Sequence, residues 1–175
     1  MMTAIDVVKL YQALNDTGIQ IWIDGGWAVD ALLGRETRSH KDLDIAIQQK
    51  DVPKLRKFLA ARGYIDVPRD DTSAWNFVLG DDQGREIDIH TIVFDAEGNG
   101  LYGPVEKGVM YPAASLAGTG MINGRLVKCI SAEYMVKFKT GYKPAEKDFK
   151  DVAALCETFE IEYPEAYKSL KNQRT

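Results

Sequence analysis

Cysteine and histidine are scarce in this sequence, two of each in 175 residues. His40 and His90 sit in no HExxH pattern, and Cys129 and Cys156 have no CxxC spacing, which argues against a dedicated zinc site. The cysteines fall in different predicted elements and read as a reduced pair in a cytoplasmic protein. No apolar run approaches the ~20 residues needed to cross a bilayer. The first residues, Met1 to Asp6, lack the basic-then-apolar order of a secretory signal, so a cytoplasmic location is expected. A basic excess is also missing. Lys and Arg total 22 against 26 Asp and Glu, a net charge of −4, which leaves no general field for holding nucleic acid. No GxxxxGK[ST] loop is present, which excludes a P-loop enzyme, and there are no repeats or low-complexity segments.

What remains has the size of one compact domain and an ordinary globular composition. Apolar spacing predicts a helix over 4–17, ended by Gly18, and Ile19 to Asp24 alternates as a half-buried strand. Gly25-Gly26 then reads as a turn before a short helix from Trp27 to Leu33, closed by Gly34. Arg35 to Lys41 reads as a charged loop, and 42–47 as a second strand. Asp51 is the expected cap of a helix with Pro53 in its first turn and Gly63 at its end. Strands are predicted over 74–79 and 85–93, joined by a turn at 80–84, and the Gly/Pro-rich stretch 98–112 reads as loop. Asn123-Gly124 marks a second hairpin between 120–122 and 125–130. Helices follow from Ser131 to about Lys139 and from 145 to about 158, with a short one at the end. The order predicts an α+β fold: a mixed sheet with flanking helices over 1–130, and a C-terminal helical segment over 131–175 closing a cleft.

The chemistry points to carboxylates. Side chains in a strand alternate faces, so Asp42 and Asp44 share one side while Leu43, Ile45 and Ile47 turn to a core. Glu86, Asp88 and His90 repeat that pattern, with Ile87, Ile89 and Ile92 as apolar packing. If the two strands are neighbours, the acids crowd together, and like charges held close need a cation. Mg²⁺ suits one or two carboxylates plus substrate phosphates. DxD alone is a weak pattern that a solvated sheet face also satisfies. The glycine pair upstream, whose backbone N–H groups can meet phosphate oxygens at a helix start, makes the combination specific.

The runs Trp22 to Asp30 (WIDGGWAVD) and Leu33 to Asp44 (LGRETRSHKDLD) resemble the small antibiotic nucleotidyltransferases of the DNA polymerase β superfamily. The lincosamide nucleotidyltransferases and the aminoglycoside 2″-adenylyltransferases look close. The likeness continues through 87–90 (IDIH), 127–131 (VKCIS) and Gly141-Tyr142 followed by Asp148 and Asp151. It implies a polymerase β-like nucleotidyltransferase fold with Asp42, Asp44 and Asp88 as ligands for one or two Mg²⁺ ions. Asp88 would be the general base and Gly25-Gly26 the phosphate-binding turn. The implied reaction moves a nucleoside monophosphate, AMP by preference, from ATP or another triphosphate to a hydroxyl of a small antibiotic. A lincosamide stands slightly ahead of an aminoglycoside: the Asp-Ile-His form and the Ser…Gly-Tyr tail resemble the lincosamide group, while the Trp-Ala-Val-Asp and Gly-Arg-Glu-Thr-Arg runs resemble the aminoglycoside group.

Lesser candidates each have a bland reading. Arg38, His40 and Lys41 are placed to neutralise phosphates or to be a solvated loop, and Arg38 is preferred for the nucleotide. Lys139 is a nucleotide contact or an exposed helix lysine. His90 and Tyr142 are assigned to the acceptor. So is Glu86, which with Asp95, Glu97 and Glu106 would suit a polycation. Asp24 and Asp30 read as caps or loop braces, Trp27 and Trp75 as core. Expected partners are the antibiotic and the triphosphate, without nucleic acid or membrane, and a homodimer is left open. The rival reading is a noncatalytic or regulatory nucleotidyltransferase-fold module, such as a toxin-neutralising partner. It has no need of a third acid.

Overall fold

The computed structural model describes residues 1–104, 106, 108 and 110–168. Helix α1 (Ala4–Asp16) opens on a reciprocal cap: Asp6 N–H donates to Thr3 Oγ1 at 3.2 Å, and Thr3 N–H to Asp6 Oδ2 at 3.0 Å. Its buried stripe is Val7, Leu10 and Leu14, one face at helical spacing. Strand β1 (Ile21–Ile23) is buried throughout, where its alternation suggested a half-wet strand. The reason is Trp22, whose indole N–H reaches the Leu116 carbonyl at 2.8 Å and so satisfies its polar edge inside. Trp27 is likewise core, at 1% exposure.

Helix α2 (Gly25–Leu33) begins at the glycine pair itself and ends at Gly34, φ +67. Strand β2 (Asp42–Gln48) leads through a 3₁₀ turn (Gln49–Asp51) into α3 (Val52–Ala60). That turn supplies the entry to α3, and the expected Asp51 side-chain cap does not form. Strands β3 (Ile65–Val67), β4 (Asn76–Gly80) and β5 (Glu86–Phe94) follow. β3 gave no signal because it is an edge strand with Ile65 exposed.

The stretch read as loop holds two short strands, β6 (Gly100–Tyr102) and β7 (Met110–Tyr111). Gly100 is not loop punctuation: a Cβ there would lie 2.7 Å from Ile92 Cδ1, so glycine lets β6 close on β5. β8 (Gly118–Ile122) and β9 (Arg125–Cys129) form the expected hairpin, with Asn123 at φ +45 and Gly124 at +74. Helices α4 (Ala132–Phe138) and α5 (Glu146–Phe159) come next. Ser131 stands at the start of α4 without a side-chain capping bond. A 3₁₀ turn at Glu165–Tyr167 occupies part of the expected terminal helix, and residues 169–175 lie outside the described residues.

Among the described residues nine strands form one mixed sheet, in the order β3-β4-β5-β2-β1-β9-β8 with β6 and β7 beyond the end of β5. β2 and β5 are central and parallel, and β1 is antiparallel to β2. Helices flank the sheet, and α2 packs against α4 and α5. The α+β architecture is the expected one. Both cysteines are free and buried. No helix of the described residues is long and apolar enough to cross a membrane.

Candidate active site

The β2–β5 register aligns the acids. Asp42 pairs with Glu86, Asp44 with Asp88, and Ala46 with His90, while Leu43, Ile45, Ile87 and Ile89 are fully buried behind them. Crowding has the electrostatic consequence expected of it. Burial, followed by the charges of Asp24, Asp42 and Asp88, pushes the Asp44 carboxyl up to about 7. Asp88 is raised as well, first by burial and then by Asp42 and Asp71, against the pull of His90 and Arg69. Asp88 Oδ1 is buried and has no hydrogen-bond partner among the described residues. Donor atoms of Asp44, Asp88 and His90 all come within 4.8 Å of one another. Asp42 shares their face but is not part of that group. An orphaned carboxylate oxygen inside an acid cluster fits a divalent cation.

The glycine pair serves this cluster directly. A Cβ on Gly25 (φ +58) would sit 2.0 Å from Asp44 Oδ2, and one on Gly26 would sit 2.5 Å from His40 Nδ1 and 2.6 Å from Arg38 Nη2. Any side chain there would displace the acid or the arginine from the start of α2. Asp24 caps that helix, its Oδ1 accepting Gly25 N–H at 2.7 Å. Its other oxygen accepts the Tyr111 hydroxyl at 2.9 Å, and the same hydroxyl lies 3.0 Å from His90 Nδ1. His90 Nε2 in turn faces Asp88 Oδ1 at 3.6 Å. Burial opposes a charge on His90, but Asp24, Asp88 and Asp44 outweigh it and lift its pKa to about 9. Tyr111 had no sequence signal, and Asp24 does more than the capping expected of it.

The opposite wall is built of ion pairs. Lys139 is buried at 6% exposure, its Nζ 2.9 Å from Asp148 Oδ1 and 3.1 Å from Asp151 Oδ2. The reading of an exposed helix lysine is therefore wrong. Burial disfavours its charge, yet Asp151 and Asp148 raise its pKa. The Tyr142 hydroxyl donates to Asp148 Oδ1 at 3.0 Å. Arg38 reaches from Gly26 toward Asp151 Oδ2 at 3.6 Å and lies 3.1 Å from His40 Nδ1. His40 itself is buried, 2.6 Å from Asp30 Oδ2 and packed on Trp27, so it is a brace and not a loop cation facing phosphate. Asp30 also accepts from Thr37, the bracing role expected of it.

Between these walls lies a cavity of about 640 Å³. Its lining includes Asp24, Gly25, Asp44 and His90 on the sheet side and Tyr102, Met110, Tyr111, Met135, Phe138, Lys139 and Tyr142 elsewhere. Asp42, Asp88 and Glu86 are not in the lining. Glu86 instead pairs with Arg69 at 2.8 Å. A second cavity of about 620 Å³, beside Arg35, Arg38, Lys147 and Lys150, contains none of the acid cluster.

A mixed sheet with aligned acids beside a glycine-opened helix defines a nucleotidyltransferase-fold enzyme. Within that class, the chain belongs to the aminoglycoside-2″-adenylyltransferase family, whose sequence model matches residues 6–155. It is 29% identical over 153 residues to a lincosamide resistance protein of Staphylococcus haemolyticus, covering 85% of this chain and 89% of that relative. The fold is similar to that of the lincomycin-bound lincosamide antibiotic adenylyltransferase LnuA, with TM-score 0.76 and 26% identity over 92% of this chain and 99% of the other. ANT(2″)-Ia in complex with adenylyl-2″-tobramycin shares the fold at TM-score 0.70 and 20% identity, covering 98% of each chain.

Proposed function

We propose that this enzyme transfers AMP from Mg-ATP to a hydroxyl of a lincosamide, and less readily of an aminoglycoside, so conferring antibiotic resistance from the cytoplasm. The observation that carries the reading is the parallel register of β2 and β5, which sets Asp44 beside Asp88 next to Gly25. Asp42, Asp44 and Asp88 would hold Mg²⁺, which when bound offsets charge on the reacting phosphates. Asp88 takes the proton of the acceptor hydroxyl as its oxygen attacks the α-phosphorus, and pyrophosphate leaves with the bond it breaks. Gly25 and Gly26, opening α2, receive the phosphates at the positive end of the helix. Arg38 and Lys139 add cationic contacts to the triphosphate. The N-terminal part up to residue 130 carries this chemistry, and the helices from 131 to 159 close the cleft over it.

The preference for a lincosamide rests on the cavity wall. Tyr102, Met110, Met135, Phe138 and Tyr142 offer apolar and aromatic surface, whereas Glu86, Asp95, Glu97 and Glu106, named above for a polycation, do not line it. His90 and Tyr142 line the same cavity and would contact the acceptor there. A noncatalytic module would gain nothing from holding Asp88 in a costly, orphaned position. The test is pyrophosphate release from Mg-ATP with lincomycin and, separately, with kanamycin. Release with lincomycin at the higher kcat/KM is expected. Silence with both, across all four common triphosphates, would sink the proposal.

A further inference from the structure

The loop between α2 and β2 is fastened by one buried carboxylate. Asp30 Oδ1 accepts the Thr37 backbone N–H at 3.0 Å and the Thr37 hydroxyl at 2.5 Å, and its Oδ2 lies 2.6 Å from His40 Nε2. His40 is 3% exposed, packs on Trp27 with ring centroids 4.5 Å apart, and is tied to Met2 by a β-bridge. Its other nitrogen, Nδ1, faces Arg38 Nη1 at 3.1 Å. A guanidinium has only donors, so Nδ1 accepts there, and Nε2 carries the ring hydrogen that goes to Asp30. The tautomer is set by its two neighbours.

Arg38 has little else to aim it. Its Nη2 is 3.6 Å from Asp151 Oδ2 and its Nη1 3.4 Å from the Ser39 carbonyl, both long for a hydrogen bond. Its buried Nε has no hydrogen-bond partner among the described residues. Yet Nη2 stands where a Cβ on Gly26 would be 2.6 Å away, at the opening turn of α2. Holding a long arginine at one place costs rotamer freedom, and the short contact from His40 is what offsets it. A neutral nitrogen orients the cation without cancelling its charge, as a carboxylate in the same place would.

We infer that His40 is a positioning residue for the transfer reaction: its Nδ1 points the Arg38 guanidinium at the start of α2, and Asp30 keeps the ring in the form that can do so. The inference rests on the nucleotide contact proposed for Arg38. Arg38 lines the second cavity, whereas His40 and Asp30 line neither cavity, so they act through the arginine.

The test has two readouts on the whole enzyme. Ring-nitrogen NMR at neutral pH reports the tautomer, with the one other histidine, His90, assigned by His90→Gln. His40 is expected to carry hydrogen on Nε2 and none on Nδ1. The second readout is Mg-ATP affinity by calorimetry, with KM and kcat measured beside it. His40→Gln keeps an amide near Nε2 for Asp30 but offers Arg38 no acceptor. It should weaken ATP roughly 10- to 100-fold, the scale of one hydrogen bond to a charged group. KM for ATP should rise by as much, with kcat nearly unchanged. His40→Asn, whose oxygen falls near the Nδ1 position, should recover most of that loss. In Arg38→Met, adding His40→Gln should cost nothing further, whereas a merely structural histidine would add its loss again. Hydrogen on His40 Nδ1 in the wild type, no recovery in His40→Asn, or additive losses in the double variant would overturn the inference. Should His40→Gln misfold, the wild-type spectrum and His40→Asn still decide. ATP affinity following this pattern without transfer to either antibiotic would refute the proposed reaction and leave the positioning standing. Transfer with ATP affinity unmoved in His40→Gln would do the reverse.

Discussion

The two walls of the cleft treat charge in opposite ways. On the sheet side, Asp24, Asp42, Asp44 and Asp88 act on one another, Asp44 is driven up to about 7, and Asp88 is raised as well. On the tail side, Lys139 stands between Asp148 and Asp151, and Arg38 and Tyr142 add to the same two acids. Both walls are rich in carboxylate. On the sheet side four carboxylates share His90 as their counter-ion, while on the tail side Lys139 and Arg38 serve two. The contrast teaches that the sheet wall is shaped for a cation brought from outside, while the tail wall holds the cleft together.

The sharpest way to break that contrast is to remove chemistry from one wall and stability from the other. Asp88→Asn should lower kcat by roughly 100- to 10,000-fold, the range for a lost proton acceptor, and leave ATP affinity little changed in a nucleotide titration. Lys139→Met should act on folding first. It takes the shared lysine from two buried aspartates, a loss of about 3–5 kcal/mol that would lower Tm by on the order of 10 °C in a melt without ligand. If Asp88→Asn instead unfolds the protein and Lys139→Met only slows it, the assignment of the two walls is reversed. A smaller effect of opposite sign is expected from Asp44→Asn. Deleting one of the crowded charges should raise Tm in the absence of metal, by roughly 2–4 °C for each kcal/mol relieved. The same variant should lose the Mg²⁺-dependent rise in Tm that ligand linkage gives the wild type. Smallest of all, Tyr142→Phe deletes one hydroxyl contact to Asp148 and should cost about 0.5–1.5 kcal/mol by denaturant titration.

How much of this was legible in the sequence depends on the range of the contacts. The DxD strand, the glycine pair and the Asn123-Gly124 hairpin are local patterns with local causes, and each lies where expected. The neighbouring of β2 and β5 could be posed as a condition, and it holds. Tyr111 was invisible because its partner Asp24 is 87 residues away and its own stretch has no periodicity. Lys139 and His40 looked exposed for the same reason: their burial comes from α5 and α2, elements brought over them by the fold. Glu86 obeyed the strand alternation that placed it with the acids, yet Arg69, from the loop before β4, pairs with it outside the cavity.

The most direct test of the account is mass spectrometry of lincomycin after incubation with the enzyme, Mg²⁺ and ATP. The expected result is lincomycin carrying one AMP unit, with pyrophosphate formed in equal amount, and neither product when Asp88→Asn replaces the wild type. Lincomycin and kanamycin both recovered unmodified from the wild-type reaction, or adenylylation undiminished in Asp88→Asn, would contradict it.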